Sequence, residues 1–490
     1  MNQVAILKKR DLRYSKVAPY HPSSRHPECP FPQTQTENLV YDSIRELWSL
    51  LRLDPDQFGT AKWNPLGEFI RPGNTVLLKP NFVSHENPEG DVDCLITHGS
   101  VIRCILDYVY IALKGEGRII IGDAPVQGGD FRKIVEHTGL SEIQAHYKRH
   151  LGFDLEIRDF RLEMGVKDGF GFITRHKLEA NQQECSAVNL GHESELASIS
   201  SHFRRYRVTN YDKAEMTSHH NNEKHEYLIS DYVLASDVII NIPKLKTHRK
   251  VGMTCAMKNL VGINASKDWL PHHRTGSLGE GGDEYQHKSA RKQLISRLWE
   301  MRDTSCHKQK AKFISLLLAM IGKTQLLYPA RDPYFEGSWY GNDTLPRTVT
   351  DLNRIALYAD KTGRMQKEAQ RRMLVIVDGI VAGEREGPLS PSPKHCGLIV
   401  AGLSPVVVDL VCSRVIGFDY RKIPMFRYAM RNGKYELFCG NPADLLVRSD
   451  LCSSYDQLVD TFGCEVMPSA GWRDHIEITH AEEAVQLATA

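Results

Sequence analysis

The sequence predicts an α/β protein whose mostly parallel sheet is flanked by helices, with a helical and loop insertion and a small C-terminal extension. Residues 71–140 read as strand, helix, strand, helix, an order typical of parallel α/β units. Apolar runs at 238–242, 372–377 and 397–402 add further strands. The chain has 490 residues, enough for two domains or for one large domain with insertions.

Each element follows from the spacing of its apolar residues and from the residues that interrupt it. Strands are predicted at 4–7, 75–83, 118–123, 155–160, 226–230, 238–242, 372–377 and 397–402. Helices are predicted at 37–53, at 101–113, from about 131, at 287–322, within 337–360 and after Pro405. The stretch between Gly379 and the strand at 397 is rich in Gly, Pro and Ser, which predicts a loop.

These elements divide the chain into five parts. Residues 1–70 hold a strand, a loop and a helix that pack on the core, 71–265 the first α/β half, 266–360 an insertion, 361–430 the second α/β half, and 431–490 a C-terminal extension. In the insertion, 267–285 is rich in Gly and polar residues, which predicts a lid-like loop. The helical stretch after it predicts a hairpin packed on the core, with a membrane surface or a partner as the alternative.

Composition and charge exclude several classes of protein. The net charge of +2 gives no sign of a nucleic-acid-binding protein. The 11 cysteines are scattered and form no C-x-x-C pair, which argues against a disulfide framework, a zinc ribbon and an iron–sulfur cluster. The longest apolar run, 313–321, is too short to span a bilayer, and the N-terminal apolar run is too short for a signal peptide. We therefore expect reduced thiols and a cytoplasmic protein without a transmembrane segment.

Residues 237–264 form the most informative stretch. An apolar strand runs into Pro243 and then Lys244-Leu-Lys246-Thr-His248, whose alternate side chains share one face of an extended chain. The following helix, predicted to carry Met253 on its apolar side, bears Lys258 and Asn259 and closes at Gly262. A solvated basic loop is the other interpretation of this pattern.

Polar residues also follow three other predicted strands, and the carboxyl ends of parallel strands meet at one edge of a sheet. The sequence therefore predicts one cleft for a small anionic molecule, with a divalent metal as an option and no cofactor identified. The candidate catalytic residues are His248, Lys246 and Asp378. The candidate anion-binding residues are Lys79, Asn81, Lys244, Lys258, Asn259, His272, His273 and Arg274. The candidate metal ligands are Asp123 and Glu386.

Two other polar groups are ambiguous. His219, His220 and His225 have a spacing that suits a metal cluster, but they lie in a polar segment that is more typical of exposed surface. Asp409 interrupts the apolar run V-V-V-D-L-V, so it needs a partner and is at least as compatible with a structural role.

The chain resembles the bacterial and archaeal family called domain of unknown function 362. The resemblance rests on LLKPNFV (77–83), the loop at Thr97-His98, IIIGDAP (119–125), NIPKLKTH (241–248), MKNLVGI (257–263), IVDGIVAGEREGP (376–388) and the segment 397–419. It implies an α/β fold and recurring polar positions, but no reaction. Many relatives carry or accompany a ferredoxin-type segment with clustered cysteines, and this chain has no such segment.

Three classes of function stay open at this point. The one we favour is a small-molecule enzyme that acts on a carboxylate, a phosphorylated compound or a sugar-derived acid by acid/base chemistry. A redox accessory protein associated with electron transfer is the second, although the cluster cysteines are absent. A binding or scaffold protein whose lysines dock an acidic partner is the third. The sequence assigns neither the reaction nor the oligomeric state.

Overall fold

A ten-stranded mixed sheet forms the centre of the protein. The computed structural model describes residues 2–167, 173–178, 184–305, 307–327, 334–452 and 454–479. Within them the strands are β1 Gln3–Lys8, β2 Thr75–Pro80, β3 Arg118–Asp123, β4 Leu155–Asp159, β5 Glu163–Lys167, β6 Ile173–Lys177, β7 Cys185–Asn189, β8 Tyr206–Arg207, β9 Glu226–Ser230, β10 Val238–Ile242, β11 Lys244–His248, β12 Gly252–Thr254, β13 His273–Arg274, β14 Arg372–Glu386, β15 Ser390–Gly402 and β16 Leu446–Arg448.

Several of the α-helices among the described residues pack on the two faces of this sheet. The helices are α1 Leu39–Leu50, α2 Gly99–Leu113, α3 Phe131–His137, α4 Leu140–Leu151, α5 Lys213–His219, α6 Asp231–Ala235, α7 Ala256–Asn259, α8 Ala290–Asp303, α9 Lys308–Leu327, α10 Thr344–Tyr358, α11 Pro405–Val415, α12 Pro424–Ala429 and α13 Leu458–Phe462. The predicted α/β class is confirmed.

The strand order explains how the site is assembled. The sheet runs β16-β1-β15-β14-β10-β2-β3-β4, with β11 beside β14 and β12 beside β11. Strands β14, β10, β2, β3 and β4 are parallel neighbours, while β15 is antiparallel to both β14 and β1. The carboxyl ends of β2, β3 and β10 therefore lie at one edge, where a parallel sheet places its ligand site.

Two apolar cores lie on opposite faces of the sheet, because successive side chains of a strand point to opposite sides. On β2, Leu77 belongs to one core, and Val76 and Leu78 belong to the other. Helices α1, α2 and α4 cover the second face, and α10 and α11 cover the first. Burial on both faces explains the continuous apolar runs by which the sequence predicts these strands.

Strand β14 extends well beyond its predicted end at Asp378. It continues to Glu386 and forms a long hairpin with β15, so the predicted loop between Gly379 and residue 397 is wrong. Of the three prolines that suggested a loop, Pro388 lies in the turn between the two strands, and Pro391 and Pro393 lie two residues apart in β15. Their nitrogens point to the same side of β15, and a strand tolerates proline where no ladder hydrogen bond is required.

The segment 267–285 is packed into the protein and does not form an exposed lid. His273, Asp283 and Glu284 are fully buried, and β13 pairs with β8. The Asp283 carboxylate accepts hydrogen bonds from Thr344 N at 2.8 Å and from Thr344 Oγ1 at 2.6 Å, so it caps the N-terminus of α10. Polar residues that suggested a mobile loop, such as Asp283, are therefore part of a buried hydrogen-bond network.

Two local predictions within residues 237–264 also differ from the structure. Met253 lies in β12, and the helix begins only at Ala256, where the Asp409 carboxylate accepts the backbone N–H groups of Ala256 and Met257 at 2.6 and 2.9 Å. Asp409 thus has a structural partner. Gly262 lies inside the 3₁₀ turn Leu260–Ile263 and does not cap the helix.

Helices α8 and α9 form a hairpin in the insertion, as predicted. Among the described residues, no helix combines the length and the apolar character that a membrane crossing requires.

The expectation that all cysteines are reduced thiols is wrong for two of them. Cys396 on β15 and Cys464 after α13 form a disulfide across 68 residues of sequence. The pair joins the C-terminal extension to the central sheet. Sequence spacing could not indicate it, because neither cysteine has another one nearby in the chain.

We expect loss of this disulfide to destabilise the protein. Replacing Cys464 by Ser removes the constraint on the unfolded chain, so the free energy of unfolding should fall by about 2–4 kcal/mol in urea titrations. Cys439→Ser, at an exposed free cysteine, is the matched control. Thiol titration of the denatured wild type should detect two additional thiols after reduction. Equal counts before and after reduction would contradict the pairing.

Candidate functional site

Lys79 and Asp123 lie side by side at the carboxyl ends of neighbouring strands β2 and β3. Lys79 Nζ is 2.7 Å from Asp123 Oδ1, and both side chains are buried. The Asp123 carboxylate also accepts the backbone N–H of Phe82 at 2.6 Å and of Ala124 at 2.8 Å. Its charge is therefore compensated by a cation and by backbone donors.

Gly262 packs directly over this ion pair. A Cβ atom at this position would lie 1.8 Å from Asp123 Oδ1 and 2.9 Å from Lys79 Nζ. Residue 262 must therefore be glycine for the turn to approach so closely, and the Gly262 carbonyl accepts the Ala124 N–H at 3.0 Å.

A chain of buried asparagines connects the strand ends to Lys246. Asn241 Oδ1 accepts a hydrogen bond from Asn259 Nδ2 at 2.8 Å, and Asn259 Oδ1 accepts one from Asn81 Nδ2 at 2.8 Å. Asn81 Oδ1 in turn accepts from Lys246 Nζ at 2.9 Å. Lys246 also donates to the carbonyl of Leu95. This network holds Lys246 with neutral acceptors.

Beside this network lies a cavity of about 420 Å³. Its lining is rich in positive charge. The cationic residues are Lys246, Arg249, Lys250, Lys258 and Lys267, and the acidic residues are Asp123 and Glu336. Asp123 is paired with Lys79, which is not itself part of the lining, and Glu336 lies 3.8 Å from Arg249 Nη2. Within the described residues, the four lysines have no carboxylate oxygen within 4.0 Å.

The protein environment lowers the pKa of each of these lysines. Burial lowers the pKa of Lys258 to about 7, with repulsion from Lys267 as the next cause. Burial likewise lowers the pKa of Lys250 and of Lys267 to about 8. The pKa of Lys246 lies well below its usual value because of burial and the nearby Lys244. A set of cations that repel one another in a cavity favours the binding of an anion.

Two histidines line the same cavity with complementary hydrogen-bond patterns. His248 Nδ1 accepts the backbone N–H of Lys250 at 3.0 Å, so the neutral ring carries its proton on Nε2. His272 Nδ1 lies 2.7 Å from the Leu270 carbonyl and must donate to it, which leaves its Nε2 as an acceptor. Burial and neighbouring lysines hold the pKa of both rings well below the usual value for histidine, so both are neutral at neutral pH.

Lys244 and Asp378 do not line this cavity. Lys244 lies on β11, as does the lining residue Lys246, and Asp378 lies opposite Lys244 on β14. Lys244 Nζ is 3.0 Å from Asp378 Oδ2, and both side chains are fully buried. Tyr14 covers the pair, since its hydroxyl accepts from Lys244 Nζ at 2.6 Å and donates to Asp378 Oδ1 at 2.5 Å. The ring of His98 stacks on Tyr14 with 4.1 Å between the ring centroids. The ladder between β11 and β14 shifts register between Lys244 and Lys246, so Lys244 lies opposite Asp378 and Lys246 lies opposite Gly383.

Three more of the predicted site residues lie outside the cavity. His273 and Arg274 belong to the buried β13 network, where Arg274 Nη2 is 3.6 Å from Asp283 Oδ2. Glu386 is exposed at the end of β14, and its Oε1 accepts the Ala470 N–H at 2.8 Å. The two predicted metal ligands therefore lie in separate environments.

The histidines near residue 220 have structural partners. His220 Nε2 contacts the Trp269 carbonyl at 2.9 Å, His225 Nε2 contacts Ser200 Oγ at 2.8 Å, and His219 stacks on Trp269. Across the described parts of the chain, no group of three His, Cys, Asp or Glu side chains is placed to hold a metal ion.

Sequence reasoning missed Lys250 and Lys267 as site residues. Lys250 comes two residues after His248, where β11 has ended, and Lys267 begins the segment that was predicted to be a lid. The signal that could have found them is their closeness to the stretch 237–264, since Lys250 lies inside it and Lys267 follows it by three residues. Periodicity cannot place them, because Lys250 lies in a turn and Lys267 in a 3₁₀ helix of only three residues.

The chain is similar to proteins that are already known. It is 26% identical over 372 residues to the thylakoid-associated protein sll1697 of Synechocystis sp., a match that covers 75% of this chain and 71% of that protein. The model of the family described as domain of unknown function (DUF362) matches residues 76–157 and 179–414. The matched residues include the ion pair, the asparagine network and all five cationic residues of the cavity lining. The chain therefore belongs to the domain of unknown function (DUF362) family.

Proposed function

We propose that the cavity binds a small organic anion, with a carboxylate or phosphate group, and transfers protons to and from it. The observation that carries the proposal is the meeting of four lysines without a carboxylate partner and two neutral histidines in one cavity of the described chain. Its volume of about 420 Å³ suits a small metabolite, since ligand sites commonly range from about 300 to 1,000 Å³.

The lysines supply the anion site. Lys250 and Lys258 face the cavity without a side-chain hydrogen bond to another described residue, and Lys267 Nζ contacts a backbone carbonyl, that of Ala124, at 3.1 Å. An anionic group would give these ammonium groups charge-assisted hydrogen bonds and would relieve their repulsion. The bound anion would also raise the pKa of each lysine.

The histidines supply the proton transfer. In the neutral rings, His272 Nε2 can take a proton from the substrate and return it, and the His248 Nε2–H can donate a hydrogen bond to a substrate oxygen on which negative charge develops. A substrate held by the lysines would lie between an acceptor and a donor. Metal ligation by Asp123 and Glu386, and a cytoplasmic location, stay predictions from the sequence alone.

Proton transfer to and from carbon can be tested before the substrate is known. We expect the protein to exchange a C–H proton of at least one member of a panel of small carboxylates and phosphate esters in D₂O, followed by ¹H NMR. His272→Asn should abolish the exchange and retain binding, whereas His137→Asn, at an exposed histidine of α3, should change neither. Binding of panel members without exchange by the wild type would contradict the acid/base role.

The pH dependence of anion binding follows from the lysine pKa values. Lys258 has a pKa of about 7, and Lys250 and Lys267 have pKa values of about 8. All three are charged at lower pH and lose their protons as the pH rises through this window. We expect the Kd for sulfate, whose charge is constant here, to rise about tenfold or more between about pH 6.5 and about pH 9 in calorimetric titrations. A Kd that stays constant or falls would contradict the lysine site.

Replacing Lys258 by Met should weaken binding and stabilise the protein. The folded state lowers the pKa of this lysine from 10.5 to about 7, so its charge lowers the free energy of unfolding at every pH below 10.5, and the penalty is complete below about pH 7. We expect the variant to bind sulfate about tenfold more weakly and to gain about 1–3 kcal/mol in urea titrations at neutral pH.

The matched control is Lys288→Met, at a lysine whose side chain is 74% exposed. It should change neither sulfate binding nor stability. If Lys258→Met destabilised the protein and left sulfate binding intact, Lys258 would be a structural residue and the anion site would lie elsewhere.

A further inference from the structure

The hairpin of α8 and α9 is attached to the body of the protein through one side of α8. Arg207 Nη1 donates to the Ser296 carbonyl at 2.9 Å, and Ser296 Oγ donates to Glu284 Oε2 at 3.0 Å. Within the hairpin, Arg291 Nη2 donates to the Ile321 carbonyl at 3.0 Å. The outward sides of the two helices are therefore the part of the hairpin that is available to a partner.

These outward sides carry large apolar side chains in rows. On α9, Phe313 is 61% exposed, Leu316 57% and Met320 49%. Their spacing of three and four residues places them on one helix face. On α8, Leu294 and Met301 are also exposed and lie two turns apart. Rows of exposed apolar residues on neighbouring helices are typical of a surface that binds another protein or a membrane.

The same segment is strongly basic. Residues 286–327 contain nine Lys and Arg residues against two acids, Glu300 and Asp303, although the whole chain has a net charge of only +2. Both acids are already paired, Glu300 with Lys213 at 2.7 Å and Asp303 with Arg207 at 3.3 Å. The sequence of helix α9 contains no acidic residue.

We propose that the α8–α9 hairpin docks on the surface of an anionic lipid bilayer. Phe313, Leu316 and Met320 would enter the boundary between headgroups and acyl chains, while Lys310, which is exposed near them, would contact the lipid phosphates. A second copy of the chain does not suit this surface, because two segments with this excess of positive charge repel each other. A bilayer presents negative charge and an apolar layer together along the whole length of a helix.

Vesicle co-sedimentation of the full-length protein tests the proposal. We expect the protein to bind phosphatidylcholine vesicles that contain phosphatidylglycerol about tenfold or more strongly than vesicles of phosphatidylcholine alone, and the difference should shrink at high salt. The double variant Phe313→Ser, Leu316→Ser should lose about tenfold or more in binding to the anionic vesicles. Leu451→Ser, which changes an exposed leucine outside the hairpin, is the matched control and should bind as the wild type does.

Two further measurements separate bilayer docking from lipid binding in the cavity and from self-association. Lys258→Met should bind anionic vesicles normally, since the cavity is not part of the docking surface; a loss would assign the lipid contact to the cavity and overturn the proposal. Sedimentation velocity of the wild type and the double variant should give the same oligomeric state. Equal binding to neutral and anionic vesicles, no binding to either, or an oligomer that dissociates in the double variant would also overturn it.

Discussion

The ion pair between Lys79 and Asp123 shapes the electrostatics of the part of the cavity that Lys258 and Lys267 line. Asp123 lines the cavity beside the lysines. It forms an ion pair with Lys79 at 2.7 Å and accepts hydrogen bonds from two backbone N–H groups. Because these contacts saturate it, Asp123 forms no ion pair with Lys258 or Lys267 and offsets their positive charge only in part. The same pair requires glycine at position 262, so the shape and the charge of the cavity depend on one interaction.

Lys244 and Lys246 show how the surroundings of a lysine decide its role. Lys244 is fully buried against Asp378 and Tyr14, an arrangement in which charge, hydrogen bonds and packing satisfy one another. Such a pair holds strands together and offers nothing to a ligand. Lys246, two residues away, has neutral acceptors, Asn81 and the Leu95 carbonyl. A buried cation without a counterion destabilises the folded state, and a ligand that supplies the missing charge removes that penalty.

Much of the fold and part of the site could be predicted from the sequence. The parallel strands are apolar runs buried on both faces, and their order places Lys79, Asn81, Asp123 and Lys246 at one edge of the sheet. The period of two along β11 also predicts a common face for Lys244 and Lys246, but a register shift and Tyr14, which is distant in sequence, give the two lysines different partners. The burial of His273, Asp283 and Glu284 within 267–285 and the disulfide depend on tertiary contacts that no local pattern encodes.

The cavity and the α8–α9 hairpin carry positive charge in two physically different ways. In the cavity, burial lowers the pKa of Lys250, Lys258 and Lys267 into the range of ordinary solution pH, so their charge can change on ligand binding. On the hairpin, lysines such as Lys288 and Lys310 are exposed to solvent, which stabilises their charge but screens it. Charge in the cavity therefore suits selective binding of one small anion. Charge on the hairpin suits many weak contacts with an extended anionic surface, and apolar side chains are needed there to hold the protein in place.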